Sequence, residues 1–230
     1  MTKNLSANEQ DKLVMGAVHL PPYFIVSPDE DKVTGLIPEL LTPVFLPLNI
    51  NVQYKVLPLE RVKLELVNGT IDAFPLVNMA NNNNKVLLTD VYLSANDYVW
   101  TTRSKFPKGI QWETYSDLKN YRIGIVFGAG YGVKTNEFIA NNNDIFYKAD
   151  SSPLNIKLLL SGRLDAIFSN EDIILAHNES EKLVSSKKPL FINQYKIAFS
   201  LRSKFASQIE EFNQKIATFQ KSHANKTKKG

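Results

Sequence analysis

The sequence predicts an α/β protein of two similar halves connected by two strands. A short motif occurs twice, as Leu66-Val-Asn-Gly-Thr-Ile-Asp-Ala-Phe74 and as Leu159-Leu-Ser-Gly-Arg-Leu-Asp-Ala-Ile167. In each copy an apolar-periodic segment ends at a glycine that can close a helix in the left-handed conformation. A short apolar run typical of a buried parallel strand follows. Aromatic and β-branched strands at 97–102 and 194–201 flank the second half, which indicates a two-segment hinge.

Within the first half, hydrophobic periodicity and turn residues define the elements. Pro38 lies near the start of the first helix, where its missing N–H costs little. Two prolines and two aromatic residues form the turn Pro21-Pro-Tyr-Phe24 after the first strand. The predicted elements are a strand at 12–20, a helix from 35 to about 48, a strand at 50–56, a helix from 58 into the first motif and a polar turn at 81–84.

The second half reads as a self-contained βαβ series, and a final helix follows the return strand. Phe205, Ile209, Phe212, Ile216 and Phe219 recur at spacings of three and four, so this helix has an apolar stripe that we expect to dock on the first half. The predicted elements are a strand at 121–127, a helix to about 141, a strand at 144–148 and the final helix at 204–221. These assignments predict one lobe at 1–98, completed by 197–230, and a second lobe at 99–196.

Composition excludes several classes of protein. The 230 residues are 43% hydrophobic and 22% charged, as in ordinary globular proteins. The net charge of +4 resides in the last ten residues, which contain four lysines and no acid, so the remainder is balanced and a nucleic-acid partner is not expected. There is no cysteine, and His19, His177 and His223 lack ligand spacing, so we expect no metal and no cofactor.

The first ten residues bear on localisation. They lack the apolar core of a signal peptide. Either the protein is cytoplasmic, or a leader was removed and Met1 is not the natural start.

A few residues near predicted strand ends are candidates for ligand binding. The loop Gly128-Ala-Gly-Tyr-Gly132 precedes a helix, so its N–H groups can hold a polar group, although a plain tight turn is equally compatible. It matches neither a dinucleotide fingerprint nor a P-loop. Tyr23 suits stacking on a ligand or packing in the core. Arg61 points into a cleft or into solvent. Glu171 is the candidate acid or base of an enzyme, or a complement to a helix dipole.

The sequence resembles the type II periplasmic solute-binding proteins, in particular the polar-amino-acid (family 3) receptors of ABC transporters. The resemblance spans nearly the whole chain. The residues that carry it are Pro21-Pro-Tyr23, Gly35 with Glu39-Leu40, Leu66-x-x-Gly69-x-Ile-Asp72-Ala, Thr89-Asp90-x-Tyr92, Asp117-Leu118-Lys119 and Gly162-x-Leu-Asp165-Ala166.

This resemblance implies two α/β lobes that close on one small molecule and bind it without transforming it. It implies an apolar platform of Tyr23 and Leu59, a first-lobe polar contact at Asn78, and a second-lobe contact at the helix start after Gly128. The full set of candidate ligand-binding residues is Tyr23, Leu59, Arg61, Asn78, Trp100, Gly128, Ala129, Gly130, Tyr131, Asn170 and Glu171.

Departures from the family pattern concern the ligand. Amino-acid receptors of this family carry an Arg after the first motif's strand, where this chain reads Asn81-Asn-Asn-Asn-Lys85. They carry an Asp after the second motif's strand, where this chain has Asn170. The hydroxyl residue expected after Gly128 is replaced by Ala129 and Gly130. Because an unmatched charge in a cleft is costly, we expect a ligand other than a standard zwitterionic amino acid.

The expected function is therefore capture of a small solute by a monomeric periplasmic protein whose leader has been removed. An ABC permease or a membrane sensor is the expected partner. The alternatives are an enzyme on the same fold, dehydratase-like with Glu171 as acid or base, and a sensory input domain.

Overall fold

A computed structural model describes residues 11–27, 32–77 and 85–227, with side chains up to residue 221 except that of Val77. The Asn81–Asn84 turn predicted from the sequence lies outside the described residues. Within them the strands are β1 Asp11–Ala17, β2 Ile25–Val26, β3 Val33–Thr34, β4 Ile50–Val56, β5 Ala73–Val77, β6 Val86–Leu88, β7 Leu93–Thr102, β8 Ile123–Val126, β9 Phe146–Ala149, β10 Ala166–Asn170, β11 Leu183–Ser185 and β12 Phe191–Ser200. The α-helices are α1 Leu36–Phe45, α2 Leu59–Asn68, α3 Val133–Asn141, α4 Ser152–Leu160, α5 Glu171–Leu175 and α6 Ile209–Thr227.

Two long strands connect the halves of the sheet, whose order is β4-β1-β5-β12-β7-β10-β8-β9. Strand β12 pairs with β7 through residues 191–195 and then with β5 and β6 through residues 196–200. Its pairing with β5 shifts register between Lys196 and Ala198. Strand β7 pairs with β12 through residues 93–97 and with β10 through residues 97–100. Both strands therefore change partners midway, as hinge strands must. The lobe boundaries at 98–99 and 196–197 stay a prediction; they fall inside these strands.

The two copies of the sequence motif fold in the same way. Gly69 and Gly162 both have left-handed backbones, with φ of 78° and 74°, so the predicted helix closures are confirmed. The Asp72 N–H donates to the Val14 carbonyl at 2.8 Å, and the Asp72 carboxylate accepts from the Val14 N–H at 2.8 Å. Asp165 makes the same reciprocal pair with Arg122, at 2.9 Å for both bonds. Each aspartate thus ties its motif to the first parallel strand of its own lobe.

The final helix packs on the first lobe, as the sequence predicts. The Phe212 ring lies 5.2 Å from that of Phe45 and stacks at 5.0 Å on that of Phe199. Phe205, Phe212 and Ile216 are fully buried in the core that contains β1 and α1. The α-helix begins at Ile209 after a 3₁₀ turn at Lys204–Gln208, so its N-terminal boundary is five residues later than predicted. Among the described residues, no helix has the length and apolarity needed to cross a bilayer.

Candidate functional site

Two adjoining cavities lie between the lobes, with volumes of about 560 and 230 Å³. The larger is bounded chiefly by apolar side chains of the first lobe, including Leu66, Phe74, Leu76 and Val86. The smaller lies over the hinge strands and is more polar. Residues that border both cavities come from both lobes and from β12; they are Val18, Leu20, Leu59, Ala129, Gly130, Asn193 and Tyr195.

Asp97 of β7 lies at the floor of the smaller cavity and is only 4% exposed. Asn193, on the neighbouring hinge strand β12, donates a hydrogen bond from its Nδ2 to the Asp97 Oδ2. Burial raises the pKa of Asp97 from 3.8 to about 7, the Asn170 and Asn193 amides oppose the rise, and the nearby Asp172 carboxylate adds to it. A buried carboxylate therefore faces a cavity with neutral amides as its immediate partners.

Asn170 ends β10, borders the same cavity and is 2% exposed. Its Oδ1 accepts the Asp172 N–H at 2.9 Å, which caps helix α5. The Tyr23 hydroxyl donates to the same oxygen at 2.9 Å. The Asn170 Nδ2 lies beside the Asp97 carboxylate but has no partner in hydrogen-bond geometry among the described residues. The amide thus has a fully engaged oxygen and an available donor.

Tyr23 links the lobes instead of lining a cavity. Its side chain is fully buried in the first-lobe core, and its hydroxyl also lies 2.8 Å from Asp172 Oδ2. Burial, with Tyr195 and Asp172 nearby, raises the pKa of Tyr23 above its usual range. The phenol therefore stays protonated and acts as a donor from the first lobe to the second.

A second contact joins the lobes near the larger cavity. The Lys63 ammonium of α2 donates to the carbonyl of Gly128 and to the Glu60 carboxylate. Gly128 has φ of +77°, and a Cβ at this position would lie 2.1 Å from Glu60 Oε1. The positive φ favours glycine here, and a side chain at this position would also displace the end of the Glu60 side chain. The lobes are therefore in contact at two places, through Tyr23 and through Lys63.

The loop from Gly128 to Tyr131 borders the cavities, but part of its N–H set is already used. The Ala129 N–H donates to Val126 at 3.2 Å, and the Tyr131 N–H donates to Asn136 Oδ1 at 3.1 Å. The Tyr131 hydroxyl accepts the Val126 N–H at 2.8 Å, and burial raises the pKa of Tyr131 above its usual range. The loop accordingly offers a ligand fewer donors than its glycine content suggests.

Leu59 borders both cavities, whereas Arg61, Trp100 and Glu171 border neither. The Arg61 side chain is 59% exposed and pairs with Glu65 of its own helix at 3.0 Å. Trp100 is buried in the second lobe, where its Nε1 donates to the Ser169 carbonyl at 3.1 Å. Glu171 begins α5, is half-buried and borders neither cavity. Asn78 lies outside the described residues.

Sequence reasoning missed Asp97 and Asn193. Asp97 is in phase with Ala95 and Val99, which are both buried, and a carboxylate on the apolar face of a strand signals a special environment. Asn193 precedes the segment assigned as the return strand, so only the true start of β12 at Phe191 brings it into the site. Among the described residues, no cluster of His, Asp and Glu forms a metal site.

Several solved structures share this architecture. A histidine kinase sensor domain with similarity to periplasmic binding proteins matches with a TM-score of 0.77 at 15% identity, over 95% of this chain and 94% of that chain. An ancestral arginine-binding protein bound to arginine matches with a TM-score of 0.73 at 18% identity, over 93% and 94%. The substrate-binding protein of an amino acid ABC transporter matches with a TM-score of 0.70 at 17% identity, over 92% and 94%.

Sequence comparison gives no match, either to a protein-family model or to a curated protein. At identities below 20%, the structural matches establish the fold. Together with the hinge strands and the paired motifs, they show that this chain has the two-lobe α/β fold of the type II periplasmic binding proteins.

Proposed function

We propose that this protein captures a small solute between its lobes by hinge closure, outside the cytoplasm. The observation that carries the proposal is the polar floor of the smaller cavity, formed by Asp97 and Asn193 of the two hinge strands and Asn170 of the second lobe. Residues of both lobes border the two cavities, so a ligand that contacts both lobes favours the closed form. The cavity of about 560 Å³ is within the range of roughly 300–1,000 Å³ common for small-molecule sites.

The ligand we propose differs from a standard zwitterionic amino acid. No arginine borders either cavity among the described residues. Asn170 stands where the resembled receptors hold the ligand ammonium with an aspartate. An α-carboxylate would lack the arginine partner that the resembled receptors supply, and a charge without its matched partner in a cleft is strongly disfavoured.

The proposed partner is an ABC permease or a membrane sensor. Both remain open because one structural neighbour is the substrate-binding protein of an ABC transporter and another is a histidine kinase sensor domain. We favour binding over catalysis because Glu171, the candidate acid or base, borders neither cavity. A monomer suffices, since one chain supplies both lobes.

Native mass spectrometry of freshly purified protein tests this proposal. A retained small molecule, released on denaturation, is the expected result, and its mass identifies its chemical class. Small-angle scattering before and after ligand removal by unfolding and refolding should show a larger radius of gyration for the emptied protein. Absence of any retained or rebinding small molecule, together with an unchanged radius, would refute capture by closure.

A further inference from the structure

Resting on the proposed function, we infer that the ligand carries a cationic amino group bound by Asp97 and an adjacent oxygen bound by the amide of Asn170. The remainder of this ligand is apolar and lies in the larger cavity. This places the ammonium on a hinge strand rather than at the end of the second motif's strand. Asp97 and Asn170 are then the residues that determine specificity.

The first step concerns the charge of Asp97. Its carboxylate is 4% exposed and accepts a hydrogen bond from a neutral amide, that of Asn193. Among the described residues, every ion pair involves some other acid; those acids are Asp11, Glu60, Glu65, Glu113, Asp165 and Glu179. Buried carboxylates are normally paired with a cation. A cation supplied by the ligand meets this requirement.

The second step concerns the charges around the smaller cavity. Asp150 also borders it, and Asp172 is close enough to disfavour the ionised form of Asp97. The only basic side chain at this cavity among the described residues is that of His19, whose Nδ1 accepts the Val26 N–H at 3.3 Å. Lys63 and Lys85 border the larger cavity instead. The potential at the floor of the smaller cavity therefore favours a positive group.

The third step concerns the orientation of the Asn170 amide. The Asp172 backbone N–H can only donate, so the side-chain atom facing it must be the oxygen. The Nδ2 is then directed away from α5 and lies beside the Asp97 carboxylate, but no acceptor stands in hydrogen-bond geometry to it among the described residues. A buried amide donor is costly to leave unsatisfied. A hydroxyl or carbonyl oxygen of the ligand, next to the ammonium held by Asp97, satisfies it.

The remaining step concerns the rest of the ligand. Two N–H groups of the loop around Gly130 are already bonded within the protein, which weakens the anion site expected at that helix start. The Lys63 ammonium is shared between Glu60 and the Gly128 carbonyl. Apolar side chains such as Leu66 and Phe74 border the larger cavity. An amine with a neighbouring hydroxyl and a branched apolar chain combines these features.

Four compounds with similar branched chains test the inference by isothermal titration calorimetry at pH 8. They are leucinol, a cation; leucine, a zwitterion; α-hydroxyisocaproate, an anion; and isoamyl alcohol, which is neutral. We expect leucinol to bind at least about tenfold more tightly than each of the others. The variant Asp97→Asn preserves shape but removes charge, and we expect it to abolish the preference for leucinol. Asp150→Asn, which removes an exposed carboxylate from the same cavity, should change leucinol affinity by less than about threefold.

Several outcomes would overturn the inference. Equal or tighter binding of leucine, α-hydroxyisocaproate or isoamyl alcohol would do so while leaving solute capture intact. Unchanged leucinol affinity in a folded Asp97→Asn protein would do so as well. If that variant fails to fold, the wild-type ranking of the four compounds decides alone. If none of them binds, the inference fails, and native mass spectrometry decides separately on solute capture.

Discussion

Replacing Asp97 by Asn should change how the free energy of unfolding depends on pH, because Asp97 is a buried carboxyl group. The folded state raises the pKa of Asp97 from 3.8 to about 7, mainly by burial. The folded protein therefore binds this proton more tightly than the unfolded chain. The stabilisation of the folded protein by this proton is complete below about pH 4, is lost as the pH rises from about 4 to about 7, and is absent above that range.

The magnitude follows from the size of the shift. A rise of about 3 in pKa at about 1.4 kcal/mol per unit gives about 4 kcal/mol. The groups that interact with Asp97 are the Asn170 and Asn193 amides, the Asp172 carboxylate, and the phenols of Tyr23, Tyr131 and Tyr195. Because all remain in the variant, subtracting its unfolding free energy from that of the wild type isolates the Asp97 contribution.

Urea unfolding followed by circular dichroism at pH 4, 6 and 8 measures this difference. Relative to wild type, the Asp97→Asn variant should gain about 4 kcal/mol of unfolding free energy between about pH 4 and 8. Asp150→Asn serves as the control for loss of one negative charge at the same cavity. A difference between wild type and Asp97→Asn that stays constant within about 1 kcal/mol would show that Asp97 is not in the buried environment described.

Three further predictions concern the motifs and the contact between lobes. Gly162→Ala should lower the free energy of unfolding by about 1 kcal/mol, because the only strain is its positive φ. Gly69→Ala should lower it more in the same urea titrations, because the new Cβ would also lie 2.8 Å from Arg202. Equal losses in the two variants would contradict this. Asp165→Ala should lower the free energy of unfolding by about 3 kcal/mol, since the Asp165 carboxylate accepts hydrogen bonds from the Arg122 backbone N–H and guanidinium. Asp11→Ala breaks an exposed ion pair and should lower it by under about 1 kcal/mol. Similar losses in the two variants would refute the structural role given to Asp165. Tyr23→Phe keeps the ring but removes the hydroxyl that bonds to the second lobe. Small-angle scattering should therefore show a more open average shape, and calorimetry should show a ligand affinity lower by about tenfold or less. An unchanged shape and an unchanged affinity would exclude a role for the hydroxyl in closure.

The two-lobe fold class can be predicted from the sequence because the signals that define it are local. The glycine closures at 69 and 162 each depend on a few neighbouring residues, and both are confirmed. The packing of the final helix follows from its apolar stripe and is also confirmed. Strand β10 of the second motif begins at Ala166 because Asp165 is bonded to Arg122.

The site is harder to predict because it depends on directions that no local pattern encodes. The aromatic ring of Tyr23 suits a ligand platform, yet the path of the chain after Pro22 directs this ring into the core. Asp97 and Asn193 come together only when two distant strands pair. Asn170 is a candidate from the sequence, but the direction of its amide depends on the cap that it provides to α5.

The hydroxyl of Tyr23 has a consequence for the evolution of ligand affinity. It bonds across the lobes without bordering either cavity. A group in this position shifts the balance between open and closed forms without distinguishing one ligand from another. On this view each 1.4 kcal/mol added to or removed from closure changes affinity about tenfold for every ligand alike. Affinity can then be tuned at Tyr23 while selectivity is preserved at the cavity floor.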